Sequence, residues 1–306
     1  MNRNSILLLL SLVSPFSYSK QIALTFDDAP LAGSHIMSGE EKTKKIIKHL
    51  QENNVPDALF FVTTANITSE FDKQRLNDYS DAGFHLAHHS HTHVSANKVE
   101  VNSYINDFDI AHKALINFDN VLKLHRHPYL HYGETVNKRQ SIQAHLISKG
   151  YDFGYVTVDN FDWYMNSKLL KAKEQGLEVN HDKLGQLYVD TLWEGIEFYD
   201  ALAQKHLDRP VKHVLLLHEN EIAALFLGKL IKHIRANGWE VIAPQDAYKD
   251  PISDTYNAEL FQFNKQGRIA GLLESKGLEK SMLRHKSENI EFLDKRFEEY
   301  QVFIKQ

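Results

Sequence analysis

Seven short apolar runs, separated by longer amphipathic stretches, constrain the fold of this 306-residue chain more than any other feature. Runs of this length bounded by turn signals read as buried strands, here at 22–26, 58–62, 84–87, 121–125, 153–158, 214–217 and 240–243. The stretches between them carry helical spacing. Ser38 with Glu41 three residues on has the pattern of a capping box ahead of Ile46, Ile47 and Leu50, and further helices are expected at 70–82, 102–117, 137–149, 184–205 and 221–236. Gly83, Gly150 and Gly238 fall just past three of these, where a left-handed residue ends a helix. Such alternation builds a parallel sheet with right-handed crossovers, either closed as a barrel or open and doubly wound.

The polar motifs choose between the two. Asp27 and Asp28 follow the first run, His89 to His93 the third, Arg126 to Tyr129 the fourth, Asp159 to Trp163 the fifth and His218 the sixth. Functional groups gathered from the ends of many strands are the habit of (β/α) barrels, whereas an open sheet concentrates them at one crevice. The expectation is therefore an α/β chain with a barrel of about seven parallel strands at 20–250. Residues 164–186 read as a helical insertion beside the site, and 251–306 as a C-terminal helical extension. In that extension Ile290, Leu293, Phe297 and Tyr300 keep the spacing of a packed helix.

Residues 1–19 read as a signal peptide: Arg3, an apolar stretch at 6–13, then the small-x-small pattern Ser17-Tyr18-Ser19 before Lys20. The apolar stretch breaks at Pro15, too early to span a bilayer, and no later segment is apolar enough. An exported, periplasmic or secreted protein follows, with no stable membrane insertion after cleavage. The chain has no cysteine, so neither a lipid-anchored cysteine nor a disulfide framework is available. A net charge of -5 gives no basic footprint and excludes nucleic acid as a partner. The 18 histidines are the compositional anomaly.

Asp27 and Asp28 are adjacent at a strand mouth, where successive side chains point opposite ways and need not share a role. His89 and His93 stand four apart in H-S-x-x-H, a spacing that on a helical turn brings two imidazoles to one ion. Asp28 completes a set of two histidines and one carboxylate that zinc, cobalt, nickel and iron all tolerate. Ser90 is expected to hold the turn. Asp-Asp ahead of Pro30 also suits a plain turn, and His88, His89, His91 and His93 also suit a solvated cluster.

The motifs TFDD, HSHTH, RHPY, DNFDW and LLLH, in this order, resemble the five motifs of the polysaccharide deacetylases, carbohydrate esterase family 4. The resemblance covers about residues 20–248, and it implies a distorted (β/α) barrel and an acetylated carbohydrate substrate. It makes Asp27 the general base, with Arg126 as its partner, and gives Asp28, His89 and His93 to a divalent metal, zinc first. The Tyr129 N–H takes the oxyanion position, and Pro128 before it fixes the turn. His218 resembles the general acid, supported by Asp162, with Asp159 as the alternative. Leu216 and Trp163 match positions that receive the acetyl methyl or line the groove, although both also suit a core.

This chain departs from the family pattern at Ala29 and at Leu130-His131, where glycine is usual, and at Glu219-Asn220, where an Asp is common after the histidine. The loop LAGSHIMSG is an addition that could cover the groove. The expected reaction is hydrolysis of N-acetyl, in second place O-acetyl, groups. Two other readings stand beside it: an amidohydrolase acting on a small amide or cyclic imide, and a carbohydrate-binding protein without turnover.

Overall fold

The computed structural model of the chain describes residues 19–253 and 266–304. The expected signal peptide lies outside them, apart from Ser19. In chain order the elements are β1 (Lys20–Ala29), α1 (Gly39–Glu52), β2 (Leu59–Val62), α2 (Glu70–Asp81), β3 (His85–His88), α3 (Val101–Leu115), β4 (Val121–His125), α4 (Val136–Ser148) and β5 (Asp152–Phe153). They continue as α5 (Asp162–Glu174), β6 (Glu178–Val179), α6 (His181–Leu207), β7 (Lys212–His218), α7 (Glu221–Ala236), β8 (Trp239–Val241), α8 (Pro244–Ala247), α9 (Arg268–Ser275), α10 (Ile290–Glu299) and β9 (Phe303–Ile304).

All seven expected strands join one parallel sheet, ordered β5-β4-β3-β2-β1-β7, with β8 against the first residues of β1. Consecutive residues of β1, β2, β3 and β7 are buried on both faces, as a parallel sheet covered by crossover helices requires. The expected strand at 153–158 is divided. Its first residues pair with β4, the Gly154 N–H donates to the His125 carbonyl at 2.7 Å, and Val158 then bridges to Leu215 of β7. One irregular stretch thus touches β4 at one end and β7 at the other, which closes the sheet into a distorted barrel. Gly154 permits the bend, because a Cβ there would come within 2.6 Å of the Phe61 ring.

Helix signals are legible at the atomic level. Ser38 Oγ accepts from the Glu41 N–H at 3.1 Å, but the Glu41 carboxylate turns to Lys45, so only half of the capping box forms. Gly83, Gly150 and Gly238 all take positive φ, at 89°, 75° and 80°.

The expected insertion at 164–186 holds most of α5, β6 and the start of α6, and β6 pairs antiparallel with β9 from the C-terminal extension. That ribbon is a non-local pairing of two-residue strands and has no pattern in the sequence. Leu293 and Phe297 of α10 are buried in the same core as Leu187 and Ile196 of α6, whereas Ile290 is exposed and Tyr300 only half-buried. Tyr164 donates to Asp294, Arg296 pairs with Glu194, and the Phe161 N–H donates to the Ser287 carbonyl, so the extension is strapped across α5 and α6. Among the described residues no helix is long and apolar enough to cross a membrane.

Candidate active site and metal centre

The parallel register brings the polar motifs to one mouth of the barrel. Asp27 is the β1 partner of His218 on β7, and the Glu219 N–H donates to the Asp27 carbonyl at 3.0 Å. Asp28 leaves the strand with φ of 68°, so the two carboxylates diverge. Asp27 Oδ1 accepts from Arg126 Nη1 at 2.6 Å, while Asp28 Oδ1 accepts from Thr63 Oγ1 at 3.1 Å and faces His93 Nε2 at 3.5 Å.

His89 and His93 do not lie on a helical turn. The loop after β3 bends through left-handed Ser90 (φ 70°) and His93 (φ 55°), held where Thr64 and Ala65 N–H groups donate to Ser90 and His91 carbonyls. Asp107 of α3 accepts from the N–H groups of His91 and Thr92. Ser90 holds this turn through its backbone, since its buried hydroxyl has no partner. His89 Nδ1 lies 2.9 Å from the Arg126 carbonyl, which requires Nδ1 to carry the proton and leaves Nε2 as a lone pair towards Asp28. Burial, with His93 beside it, holds His89 well below its ordinary range and therefore neutral. One donor atom each from Asp28, His89 and His93 fall within 4.8 Å of one another. This donor set, with its lone pairs convergent and one carboxylate charge, fits a divalent cation.

Arg126 is fully buried. It spans the barrel floor, donating to the Gly154 carbonyl at 2.9 Å and the Tyr248 hydroxyl at 3.1 Å and lying 3.9 Å from the Phe61 ring. Burial works against its charge, and Asp27 and Tyr248 more than offset this.

On the opposite wall His218 Nδ1 meets Asp162 Oδ1 at 2.6 Å, and the other Asp162 oxygen accepts from the His218 N–H at 3.0 Å. Asn160 holds this arrangement by accepting from the Asp162 N–H and donating to the Leu216 carbonyl. Burial lowers the affinity of His218 for a proton, but Asp162, with Asp28 and Asp27 behind it, prevails and raises its pKa to about 9. Asp159, the alternative support, makes no bond to His218; its Oδ1 accepts from the Asn160 N–H.

Asp27, Asp28, His89, His93, Asp159, Asn160 and His218 line one cleft of about 540 Å³, together with Tyr129, Leu130, His131, Phe161, Trp163, Leu216 and Arg284, while Arg126 and Asp162 are fully buried behind it. Trp163 is 41% exposed and stands on its rim, whereas Leu216 is buried with Leu130, Tyr132 and Val156 and presents only an edge. Tyr129 is 57% exposed, with its ring 4.3 Å from that of His93. The turn around it is bonded from Leu130 N to the His127 carbonyl and from His131 N to the Pro128 carbonyl, which leaves the Tyr129 N–H outside these bonds. Leu130 takes φ of 52°, a conformation natural to glycine, and its buried side chain anchors it there. The added loop 31–39 contributes no residue to the lining of this cleft. It folds away onto Glu219, which accepts from Leu31 N, Thr43, Arg75 and Tyr79.

Residues 17–145 match the family model described as polysaccharide deacetylase. This segment belongs to the polysaccharide deacetylase family. The matched segment holds Asp27, Asp28, His89, His93, Arg126 and Tyr129, and the barrel adds Asp162, Trp163, Leu216 and His218 from beyond it. No curated protein sequence matches the chain.

Solved structures share the fold. The chitin deacetylase of the fungal pathogen Colletotrichum lindemuthianum is 18% identical with a TM-score of 0.53, over 79% of this chain and 93% of that one. A carbohydrate esterase family 4 pseudoenzyme from Bacillus anthracis is 15% identical with a TM-score of 0.52, over 75% of this chain and 65% of that one. Thr63, Tyr248, Glu219 and Arg284 escaped the sequence reading. Glu219 was visible only as a departure from the family pattern, and the other three sit in segments without any motif.

Proposed function

We propose that the protein is an exported, metal-dependent deacetylase that hydrolyses N-acetyl groups, and less readily O-acetyl groups, on a polysaccharide or oligosaccharide. The observation that carries this reading is the convergence of the Asp28, His89 and His93 donor atoms within 4.8 Å, between Asp27 on one side and His218 on the other. Asp28, His89 and His93 would hold the divalent metal, zinc first. When bound, it supplies Lewis-acid polarisation of the acyl group and a lowered pKa for the attacking water.

The chain's own residues do the rest. Asp27 takes the proton of the attacking water through the oxygen not engaged by Arg126. The Tyr129 N–H donates to the acyl oxygen as negative charge develops there. His218, protonated because Asp162 supports it, gives its Nε2 proton to the leaving nitrogen as the carbon–nitrogen bond breaks, and acetate departs. Trp163 supplies an aromatic face for a sugar ring, and the Leu216 edge lies near the acetyl methyl. The presence of both a base and an acid favours turnover over carbohydrate binding alone, and the complete ligand set favours it over a metal-free amidohydrolase.

The test is acetate release from chitooligosaccharides, peptidoglycan, acetylxylan and poly-N-acetylglucosamine, with and without a chelator. Release that stops on chelation and returns with added metal is expected. Release indifferent to the chelator, or absent across the panel with metal added, would refute the reading.

A further inference from the structure

The barrel supplies the base, the acid and the metal ligands, but one cleft residue comes from the C-terminal extension. Arg284 sits between α9 and α10 and reaches the cleft because the extension is strapped over α5 and α6. Its Nε donates to Glu288 Oε2 at 3.1 Å, and its side chain remains 44% exposed. Glu288 is buried and also accepts from Gln266 Nε2 at 2.8 Å and from the Tyr199 hydroxyl. Three donors therefore fix this carboxylate, and it fixes the guanidinium by one edge. Among the described residues the two Nη groups have no hydrogen-bond partner, so the forked end of Arg284 is free to act.

Asp159 lies in the same wall. It accepts a single hydrogen bond, from the Asn160 N–H, and burial together with the nearby Glu288 holds its carboxyl well above the usual range. Burial raises both carboxyls of this pair, and Glu288 has three donors where Asp159 has one. The Arg284 guanidinium thus lines the same cleft as the carboxylates of Asp27 and Asp28, with its Nη groups unengaged by either. A neutral sugar hydroxyl needs no full positive charge; a planar carboxylate matches the open fork of an arginine with two parallel N–H···O bonds.

Resting on the deacetylase reading, we infer that Arg284 is a specificity residue that binds a carboxylate carried by the acylated saccharide, so that acidic amino-sugar chains are preferred over neutral ones. The carboxylate can be a side-ether acid or a ring uronate, and the assay separates the two. Acetate release is measured for the wild type, R284Q and R284K on three oligomers: neutral N-acetylglucosamine, N-acetylglucosamine bearing lactyl ethers, and N-acetylglucosamine alternating with a uronic acid. The expected result is a wild-type preference in kcat/KM for one acidic oligomer over the neutral one. In R284Q that ratio falls on the order of tenfold to a hundredfold, chiefly through KM, the size of one lost charge-assisted pair. R284K keeps a charge without the fork and falls by less.

Calorimetric binding of the same acidic oligomers gives a readout independent of turnover, with Kd weakened in R284Q by a similar factor. A wild type that prefers the neutral oligomer, or a ratio and Kd unmoved by both substitutions, overturns the inference. Gln retains a donor for Glu288, and if R284Q nevertheless fails to fold, the R284K ratio decides. Should no oligomer release acetate, the deacetylase reading fails, and loss or retention of acidic-oligomer binding in the variants still decides the role of Arg284.

Discussion

Asp162→Asn is the most informative single substitution, because the carboxylate it removes holds His218 by a 2.6 Å contact to Nδ1 and anchors the His218 N–H as well. With Asp162 in place the imidazole is raised to about 9 from an ordinary 6.5. The gap corresponds to about 3 kcal/mol of preference for the imidazolium. An amide cannot repay the burial of a charged ring, so His218 in the variant should titrate at or below 6.5, its ordinary value. At pH 8 the protonated fraction then falls from roughly 90% to roughly 3%, a loss of about 30-fold in competent acid.

Two assays read this out: an NMR titration of His218 in the metal-free protein, and the alkaline limb of kcat/KM for acetate release. A divalent cation held by Asp28 offsets the contributions of Asp28 and Asp27, so the limb of the loaded enzyme is expected below the metal-free titration. The stability arm has a defined sign. A group raised in the folded state contributes stability that is fully present below its unfolded value of 6.5 and is lost as pH rises through about 9. The variant should therefore lose most stability near pH 6 and little near pH 10. A His218 titration unchanged by the substitution would refute the argument.

Asp27→Asn should retain metal by elemental analysis and lose on the order of 10²- to 10⁴-fold in kcat, the usual contribution of a general base; near wild-type turnover would remove Asp27 from that role. His89→Ala should lose metal and activity together, and unchanged metal content would sink the ligand assignment. Glu219→Gln leaves the buried Arg75 with Asp72 at 3.4 Å as its one remaining carboxylate, and urea denaturation should report about 3 kcal/mol of lost stability. A loss below about 1 kcal/mol would show that the Thr43 and Tyr79 contacts suffice there.

The strands and helices were legible because their signals are local: apolar runs bounded by turns, a cap at Ser38, and left-handed glycines at three helix ends. The polar motifs could be placed at strand ends for the same reason. The backbone between His89 and His93 could not. His89 and His93 have the spacing of a helical turn, yet contacts from Thr64, Ala65 and Asp107 hold them in a left-handed loop, and those contacts are far apart in sequence. Leu130 likewise keeps a glycine-like conformation because Tyr132, Val156 and Leu216 bury its side chain.

By itself the sequence determined the alternating α/β architecture and the residue types available at each strand end, since both follow from periodicity and from which groups can titrate or bind a metal. Tertiary structure alone decided which carboxylate supports His218, how one irregular stretch closes the barrel, and which residue the C-terminal extension delivers to the cleft. Asp159 and Asp162 are equivalent on the chain, and only the docking of α5 against β7 brings one of them within 2.6 Å of the imidazole. Arg284 lies more than sixty residues beyond the last of the motifs it joins. Its place depends on a two-residue ribbon and a few buried contacts, which have no local signature because each partner is supplied by a distant part of the fold.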